Sequence, residues 1–426
     1  MAVIERIRSV GCGCGHMQGT KGLISIDDAL LRIVQNTVPV RETEDLPLAL
    51  ARGRVLASSV RSRGQVPAFD NAAMDGYAIR SADLRGAGPW ELSIRGRIAA
   101  GQPCDGRLPQ ACAFQVFTGA PVPEGADAVV MQEAVDRTGQ TIVLTQAVEP
   151  RTNIRFAGED MVAGKTVVPA GRRLSSRDIA ACAAAGHGTV RVRRLITAAL
   201  IVTGDEVRQV GEARGKAGIR DVNTPMLSAA MGAIGIALRS TEIAGDSRGS
   251  LREQIKALDG KVDLIVTTGG VSVGEEDHVK PALADLGARI AFSGVAIKPG
   301  KPVSFGRLSR THWLGLPGNP LSAFVTWSLF GPPLFSALSG QDDGEHTRRH
   351  VVTSRPINHT PGRCELRPAR IVGMDVLGRE IVEFEDASYS GRVGALPDAD
   401  GLIFLSSETD TLPEGALVEF HPFQSI

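Results

Sequence analysis

Residues 261–281 read KVDLIVTTGGVSVGEEDHVKP. Val262 to Thr268 is a short apolar run rich in β-branched side chains; Gly269, Gly270 and Gly274 break it, and an apolar-periodic segment resumes at Val279. That order predicts strand, glycine loop, helix. Such a loop lets backbone N–H groups approach an anion closely, and the positive end of the following helix adds to the attraction. The same loop carries Glu275, Glu276 and Asp277. Three carboxylates repel an anion unless a cation sits between them, so the chemistry points to a divalent metal, Mg2+ first. Taken alone, the stretch reads equally well as a solvated acidic turn.

On both sides of it, strand and helix patterns alternate. Ile196 to Thr203 is a predicted strand ending in Thr203-Gly204-Asp205-Glu206, Asn223-Thr224-Pro225 opens a helix that stops at Gly235, and Ile236 to Ala244 is a strand running into Gly245-Asp246. Ser250 to Leu258 then reads as a helix. Downstream, Ala288 to Ile297 is a strand followed by Lys298-Pro299-Gly300-Lys301-Pro302, and Trp313 to Leu316 leads into Pro317-Gly318-Asn319-Pro320 and another helix. Repeated β-α-β units predict an open parallel sheet covered by helices. Ligands bind such sheets at the carboxyl ends of the strands, which here carry Glu206, Asp246, Gly269 to Asp277, Lys298, Lys301 and Pro317 to Pro320. Acids and lysines on one rim can hold a metal and a phosphorylated ligand together. Ordinary surface salt bridges would scatter these charges over helix faces.

The flanking text differs. Ser25-Ile26-Asp27-Asp28 has the form of a capping box and predicts a helix from Ile26 to Gln35. VPAFDNAAMDGYAIR, residues 66–80, places Asp70, Asn71 and Asp75 in a polar loop after Pro67. From Trp90 to Val168 short alternating strands and Gly/Pro turns predict a small inserted sheet, in which Phe117-Thr118-Gly119-Ala120-Pro121 puts a hydroxyl at a strand end. NIRFAGEDMVAGKT, residues 153–166, imitates a phosphate-binding loop, but five residues separate Gly158 from Gly164 where the NTPase pattern needs four, which rejects that reading. Glu159 and Asp160 remain there as paired acids. Ser175 to Asp178 forms a second capping box, and from His350 onward the pattern is β without visible chemistry.

Composition excludes several classes. The 426 residues suffice for two to four domains, and 47 Lys plus Arg balance 47 Asp plus Glu, so no global field favours nucleic acid or an anionic membrane. No apolar run approaches a membrane span, residues 1–21 lack the apolar centre of a secretory signal, and the expected location is cytoplasmic. Cys104, Cys112, Cys182 and Cys364 are scattered singly, which suits a reducing compartment. Cys12, Cys14 and His16 match no zinc spacing, and residues 1–22 read as a flexible extension.

Taken together, FDNAAMDGYA, FTGAPVPEGADAVVMQE, NIRFAGED, TGDE, TTGGVSVGEEDH, AIKPGKP and LPGNP resemble the molybdopterin molybdenumtransferase family, MoeA and the gephyrin E domain, in that family's order. The resemblance implies a multidomain α/β plus β architecture. Its parts would be an extended helical domain from 23–60 and 150–192, an inserted β domain at 61–149, an open α/β molybdopterin-binding domain at 193–340, and a barrel-like C-terminal β domain at 350–426. It implies the reaction as well: adenylylated molybdopterin and molybdate give molybdenum cofactor and AMP with Mg2+. Carried over by motif, the functional residues would be Asp70, Thr118, Asp160, Glu206, Asp246 and Asp277, the last three also as metal ligands. Thr203, Gly204, Gly269, Gly270 and Ser272 would meet the pterin phosphate region, with Lys298, Lys301, Pro317, Gly318, Asn319 and Pro320 opposite.

The resemblance further implies a homodimer with the site between subunits, and delivery of substrate by a molybdopterin adenylyltransferase. Two departures stand out: the CGCGH extension, and Gly294, where relatives often carry a basic residue, so that weaker molybdate binding is expected. A non-catalytic scaffold is disfavoured by the intact acid set. A nicotinamide-nucleotide amidase on the same α/β domain would lack the FDNAAMDGYA and FTGAPVP loops.

Overall fold

The computed structural model describes residues 22–104, 106–213, 215–245, 247–271, 277–342, 349–386 and 389–423. The N-terminal Cys12, Cys14 and His16, and the predicted site residues Asp246, Ser272, Glu275 and Glu276, lie outside the described residues.

The α/β domain holds a six-stranded sheet in which Ile236–Ala244, Ile196–Thr203, Leu264–Thr268 and His312–Leu316 lie side by side and parallel. The all-parallel expectation fails at the other end, where Ser304–Arg307 and Arg289–Ser293 join antiparallel. Residues 308–311 link Ser304–Arg307 to His312–Leu316 and are too few for a crossover helix, so the chain reverses as a hairpin. Each central strand is buried on both faces, as its continuous Val, Ile and Leu text demands. Helix Pro320–Ser339 packs on one face. It is long and apolar enough to cross a membrane by length and composition, against the expectation that no run has that reach, yet 72% of the window that passes is buried inside the fold.

The capping expectation at Ser25 holds: its hydroxyl accepts the Asp28 N–H at 3.0 Å, and the helix runs Ile26–Asn36. Its apolar stripe of Ile26, Ala29 and Ile33 joins the α/β core, with Val38 N–H donating to His312 Nε2 at 3.1 Å. The helix therefore packs on the α/β domain. The linking region has its own core, with Leu56, Val60, Val168, Leu174 and Cys182 drawn from two distant segments, and helix Ser176–Ala184 begins in a complete capping box at Ser175 and Asp178. The inserted domain is a six-stranded sheet with Gly76–Ile79 between Cys112–Val116 and Ala128–Met131. A Cβ on Gly76 would sit 1.9 Å from the Val130 carbonyl oxygen, so only glycine admits that pairing.

The C-terminal strands close into a five-strand barrel through Cys364–Met374, which pairs with both Glu380–Phe384 and Gly401–Leu405. A sixth, short strand is lent by the α/β domain: Ile297–Lys298 pairs in parallel with Cys364–Glu365.

Candidate functional site

A cleft of ≈ 540 Å³ opens at the carboxyl ends of Ile196–Thr203 and Leu264–Thr268. Between these two strands the chain order reverses, since the sheet runs outward from Ile196–Thr203 to Ile236–Ala244 and then returns to Leu264–Thr268. A switch point of this kind leaves a crevice because the two connections leave in opposite directions. Of the predicted residues, Thr203, Gly204, Glu206, Gly269, Gly270, Asp277 and the turn Pro317 to Pro320 all line the cleft. Gly269 has φ +90°, and a Cβ there would meet Thr203 Oγ1 at 2.5 Å and Thr203 O at 2.8 Å. The glycine lets two strand ends approach and keeps the cleft floor open.

Asp277 is the electrostatic centre. Burial pushes its carboxyl up to about 6, against the lowering pull of Lys280 and His278, and both of its oxygens are buried without a hydrogen-bond partner. Thr203 Oγ1 and Asn223 Oδ1 are likewise buried and unpartnered. Asn223, read from sequence only as a helix opener, braces the floor: its Nδ2 donates to Thr268 Oγ1 at 2.9 Å and to Gly318 O at 2.8 Å, while Thr268 Oγ1 donates to Pro317 O at 2.8 Å.

The two lysines are placed differently. Lys298 pairs with the buried Glu365 of the barrel at 3.3 Å, and neither Lys298 nor Lys301 is among the residues lining the cleft, although Pro302 is. Of the expected lysine wall, Lys298 is thus turned toward the C-terminal domain, because Ile297–Lys298 is committed to the barrel's edge, while Lys301 is exposed. Glu365 also meets Arg367 at 3.2 Å and His359 at 3.8 Å. The barrel reaches the cleft rim too, as Ser390 O accepts the Leu321 N–H at 3.0 Å beside the Pro317 to Pro320 turn. At Gly294 the backbone has φ +96°, and a Cβ would lie 2.7 Å from Leu23 Cδ2, so a basic residue here would be strained.

Asp70, Thr118 and Asp160 gather elsewhere, at the base of the inserted domain. Asp70 Oδ1 accepts Ala157 N–H at 2.8 Å, its carbonyl accepts Val122 N–H at 3.0 Å, and Asp160 N–H donates to Val66 O at 3.0 Å, which ties three loops together. Asp75, which the sequence places in the same polar loop as Asp70 but which the family motifs gave no role, is the further member. Its Oδ1 accepts both the backbone N–H of Thr118 at 2.8 Å and its hydroxyl at 2.7 Å, and these bonds hold the carboxyl below its usual value. The signal available was the Asp75-Gly76 pair, since the Gly76 to Val116 register brings Asp75 beside Thr118.

Glu206 and Asp277 supply hard oxygen donors to one cleft, and the unpartnered carboxylate of Asp277 suits a divalent cation, which prefers oxygen ligands. Among the described residues no group of three or more His, Cys, Asp or Glu could hold a metal ion, and the third expected ligand, Asp246, lies outside them.

Comparison with known proteins covers nearly the whole chain. Residues 24–186 match the MoeA N-terminal region (domain I and II), 199–336 match a family described as "Probable molybdopterin binding domain", and 350–423 match the MoeA C-terminal region (domain IV). A molybdopterin molybdenumtransferase of Haemophilus influenzae is 31% identical over 408 residues, spanning 95% of this chain and 100% of its own. That of a Nostoc species is 33% identical over 374 residues, 85% of each chain. Among solved structures, a molybdopterin biosynthesis MoeA protein from Pyrococcus horikoshii has a TM-score of 0.82 at 26% identity, covering 94% of this chain and 100% of that one.

Proposed function

This chain belongs to the molybdopterin molybdenumtransferase family, and from that premise we propose that it inserts molybdate into adenylylated molybdopterin with Mg2+-dependent release of AMP. It is a transferase of molybdenum cofactor biosynthesis. The observation that carries the finer reading is the presence, in one switch-point cleft, of a glycine-built floor and a desolvated, unpartnered carboxylate.

In this reading, the Gly270 backbone N–H receives the anionic phosphoanhydride, since that of Gly269 is already donated to Leu316 O at 3.2 Å, and Glu206 and Asp277 would hold Mg2+. When bound, the ion supplies charge neutralisation at the phosphoryl oxygens. A water attacks the adenylyl phosphorus, the bond from that phosphorus to the bridging oxygen breaks, molybdopterin departs as its phosphate with the bridging oxygen, AMP carries the new oxygen, and a proton of the water passes to a carboxylate. Molybdate takes the two dithiolene sulfurs of molybdopterin in exchange for one of its oxygens, which leaves as water with the two thiol protons, so no cluster of protein thiolates is needed.

Asp70, Asp75, Thr118 and Asp160 take part through a homodimer that sets these loops over the partner's cleft. In support, every hydrogen bond of Asp70, Asp75 and Thr118 stays within the neighbouring loops of the inserted and linking domains, and Phe69, Met74 and Met131 are exposed beside them. Exposed apolar side chains around a polar cluster suit a covered face. Cytoplasmic location and delivery by an adenylyltransferase belong to the same proposal.

The test is AMP release from adenylylated molybdopterin with Mg2+, with and without molybdate, following molybdenum into the pterin product. Molybdate-dependent release with metal incorporation is expected; tight binding without turnover would sink the enzymatic reading in favour of a scaffold. Within that assay, Asp75→Ala is expected to lower kcat about tenfold or more, since a charge-assisted pair of hydrogen bonds on Thr118 is lost. Thr118→Ala should cost a similar factor, and the double variant no more than the worse single one, because both act through one hydroxyl. Additive losses would show that Asp75 and Thr118 act separately.

A further inference from the structure

Asn223 is 5% exposed, lines the cleft, and has its amide orientation settled by its partners. Both Nδ2 hydrogens are used, on Thr268 Oγ1 at 2.9 Å and Gly318 O at 2.8 Å. The alternative flip would set Oδ1 against the Gly318 carbonyl, which cannot donate, and against Thr268 Oγ1, whose hydrogen is engaged by Pro317 O at 2.8 Å. Oδ1 therefore faces away from this bracket and is left buried without a partner. A buried acceptor without a donor is destabilising unless something supplies one.

The oxygens of a phosphoanhydride and of molybdate carry no proton at neutral pH and cannot donate to a carbonyl oxygen. Only an N–H or O–H group can. We propose that Asn223 Oδ1 accepts a hydrogen bond from an amino N–H of the ligand's heterocycle, so that Asn223 selects an amino-bearing ring and sets the ring end of the ligand against the Pro317 to Pro320 turn. The proposal rests on the cleft being the site of the proposed reaction and deepens that reading by assigning one residue to substrate specificity. The shared chemistry, an exocyclic amino group on an aromatic ring, occurs in both the pterin and the adenine of the proposed substrate.

Two probe pairs separate those sources: pterin against lumazine, which exchanges the 2-amino group for an oxo group, and AMP against IMP, which exchanges the 6-amino group likewise. Binding to the full-length wild type is expected to favour the amino member of one pair by about tenfold, the worth of one good hydrogen bond. Asn223→Ala should bring that ratio to near unity. Thr268→Val, which breaks the bracket but leaves Oδ1 in place, should weaken both members alike and preserve the ratio, whereas a purely structural Asn223 would make the two variants equivalent. If Asn223→Ala does not fold, Asn223→Leu serves: it keeps most of the volume and removes the acceptor, so the ratio must again fall to near unity, and a preference that survives would overturn the assignment. Equal binding of both members in both pairs, or a preference that survives Asn223→Ala, also overturns it. Molybdate-dependent AMP release by the wild type is measured separately, so the reaction can stand while the Asn223 assignment fails.

Discussion

Replacement of Asp277 by Asn is expected to abolish turnover and, at neutral pH without divalent cation, to raise the thermal midpoint of the chain. The carboxyl sits at about 6 because burial disfavours its charged form, while the attractions of Lys280 and His278 only partly compensate. Lys280 is lowered by burial in its turn and raised by Asp277, so the pair shares one poorly solvated environment. Below its ordinary value of 3.8 the group is neutral in folded and unfolded chains alike, and Asp and Asn variants should melt together. Between 3.8 and about 6 the unfolded chain gives up this proton while the folded chain keeps it, so the wild type loses stability as pH rises through that window. Above about 6 the loss is complete and constant. Asn has no such dependence, so its advantage should grow from pH 4 to 6 and then level off. Thermal melts in chelator at pH 4, 5, 6 and 7.5, beside the AMP-release assay, measure both effects. A variant that is less stable than wild type at pH 7.5, or one that turns over at the wild-type rate, would remove Asp277 from the centre of the cleft. On the proposed role for Mg2+, affinity for the ion should also fall as pH drops below 6, because proton and cation compete for the same oxygens.

Glu365→Ala is expected to cost about 3–5 kcal/mol of stability, the usual penalty for removing one partner from a buried ion pair. Glu365 and Arg367 are 1% and 3% exposed, and the carboxylate serves Arg367, His359 and Lys298 together. Without it the Arg367 guanidinium keeps carbonyl contacts to Asn358 and Glu385 and the attraction of the exposed Asp386, but loses its buried counter-charge. The effect should not stop at the barrel. Cys364–Glu365 pairs with Ile297–Lys298, and the segment that follows reaches the cleft at Pro302, so the variant should also loosen the cleft rim. Glu365→Gln, which keeps the shape and a hydrogen-bond acceptor, should lose less. Denaturant unfolding of the three proteins decides the matter, and a loss below about 1 kcal/mol for Glu365→Ala would mean that the charges are solvated after all.

These two residues were legible to very different degrees. Asp277 could be suspected from residues 261–281, because strand, glycine loop and helix are written in local text and a carboxylate in such a loop is conspicuous. Strand Leu264–Thr268 and helix Val279–Asp285 appear where that text places them. Glu365 could not be suspected, since the β pattern from His350 onward specifies strands and faces but not which residue meets Lys298 across 67 positions of chain. The same holds for Asp75, whose bond to Thr118 depends on the register of Gly76 on Val116, and for Asn223, whose amide is read by a strand end and a turn 45 and 95 residues away.

By itself, then, the sequence determined the central strands, the capped helix starts at Ser25 and Ser175 and the switch-point glycines, which rest on hydrogen bonds and side-chain periodicities reaching only a few residues along the chain, while its motifs carried the family resemblance. Only the tertiary structure decided that Lys298 is held by the barrel, that helix Ile26–Asn36 completes the α/β core, and that Asn223 and Asp277 keep buried oxygens unpartnered in one cleft. Partner choice between distant side chains follows from sheet register and domain packing, and those are set by burial summed over the whole fold rather than by any local run of residues.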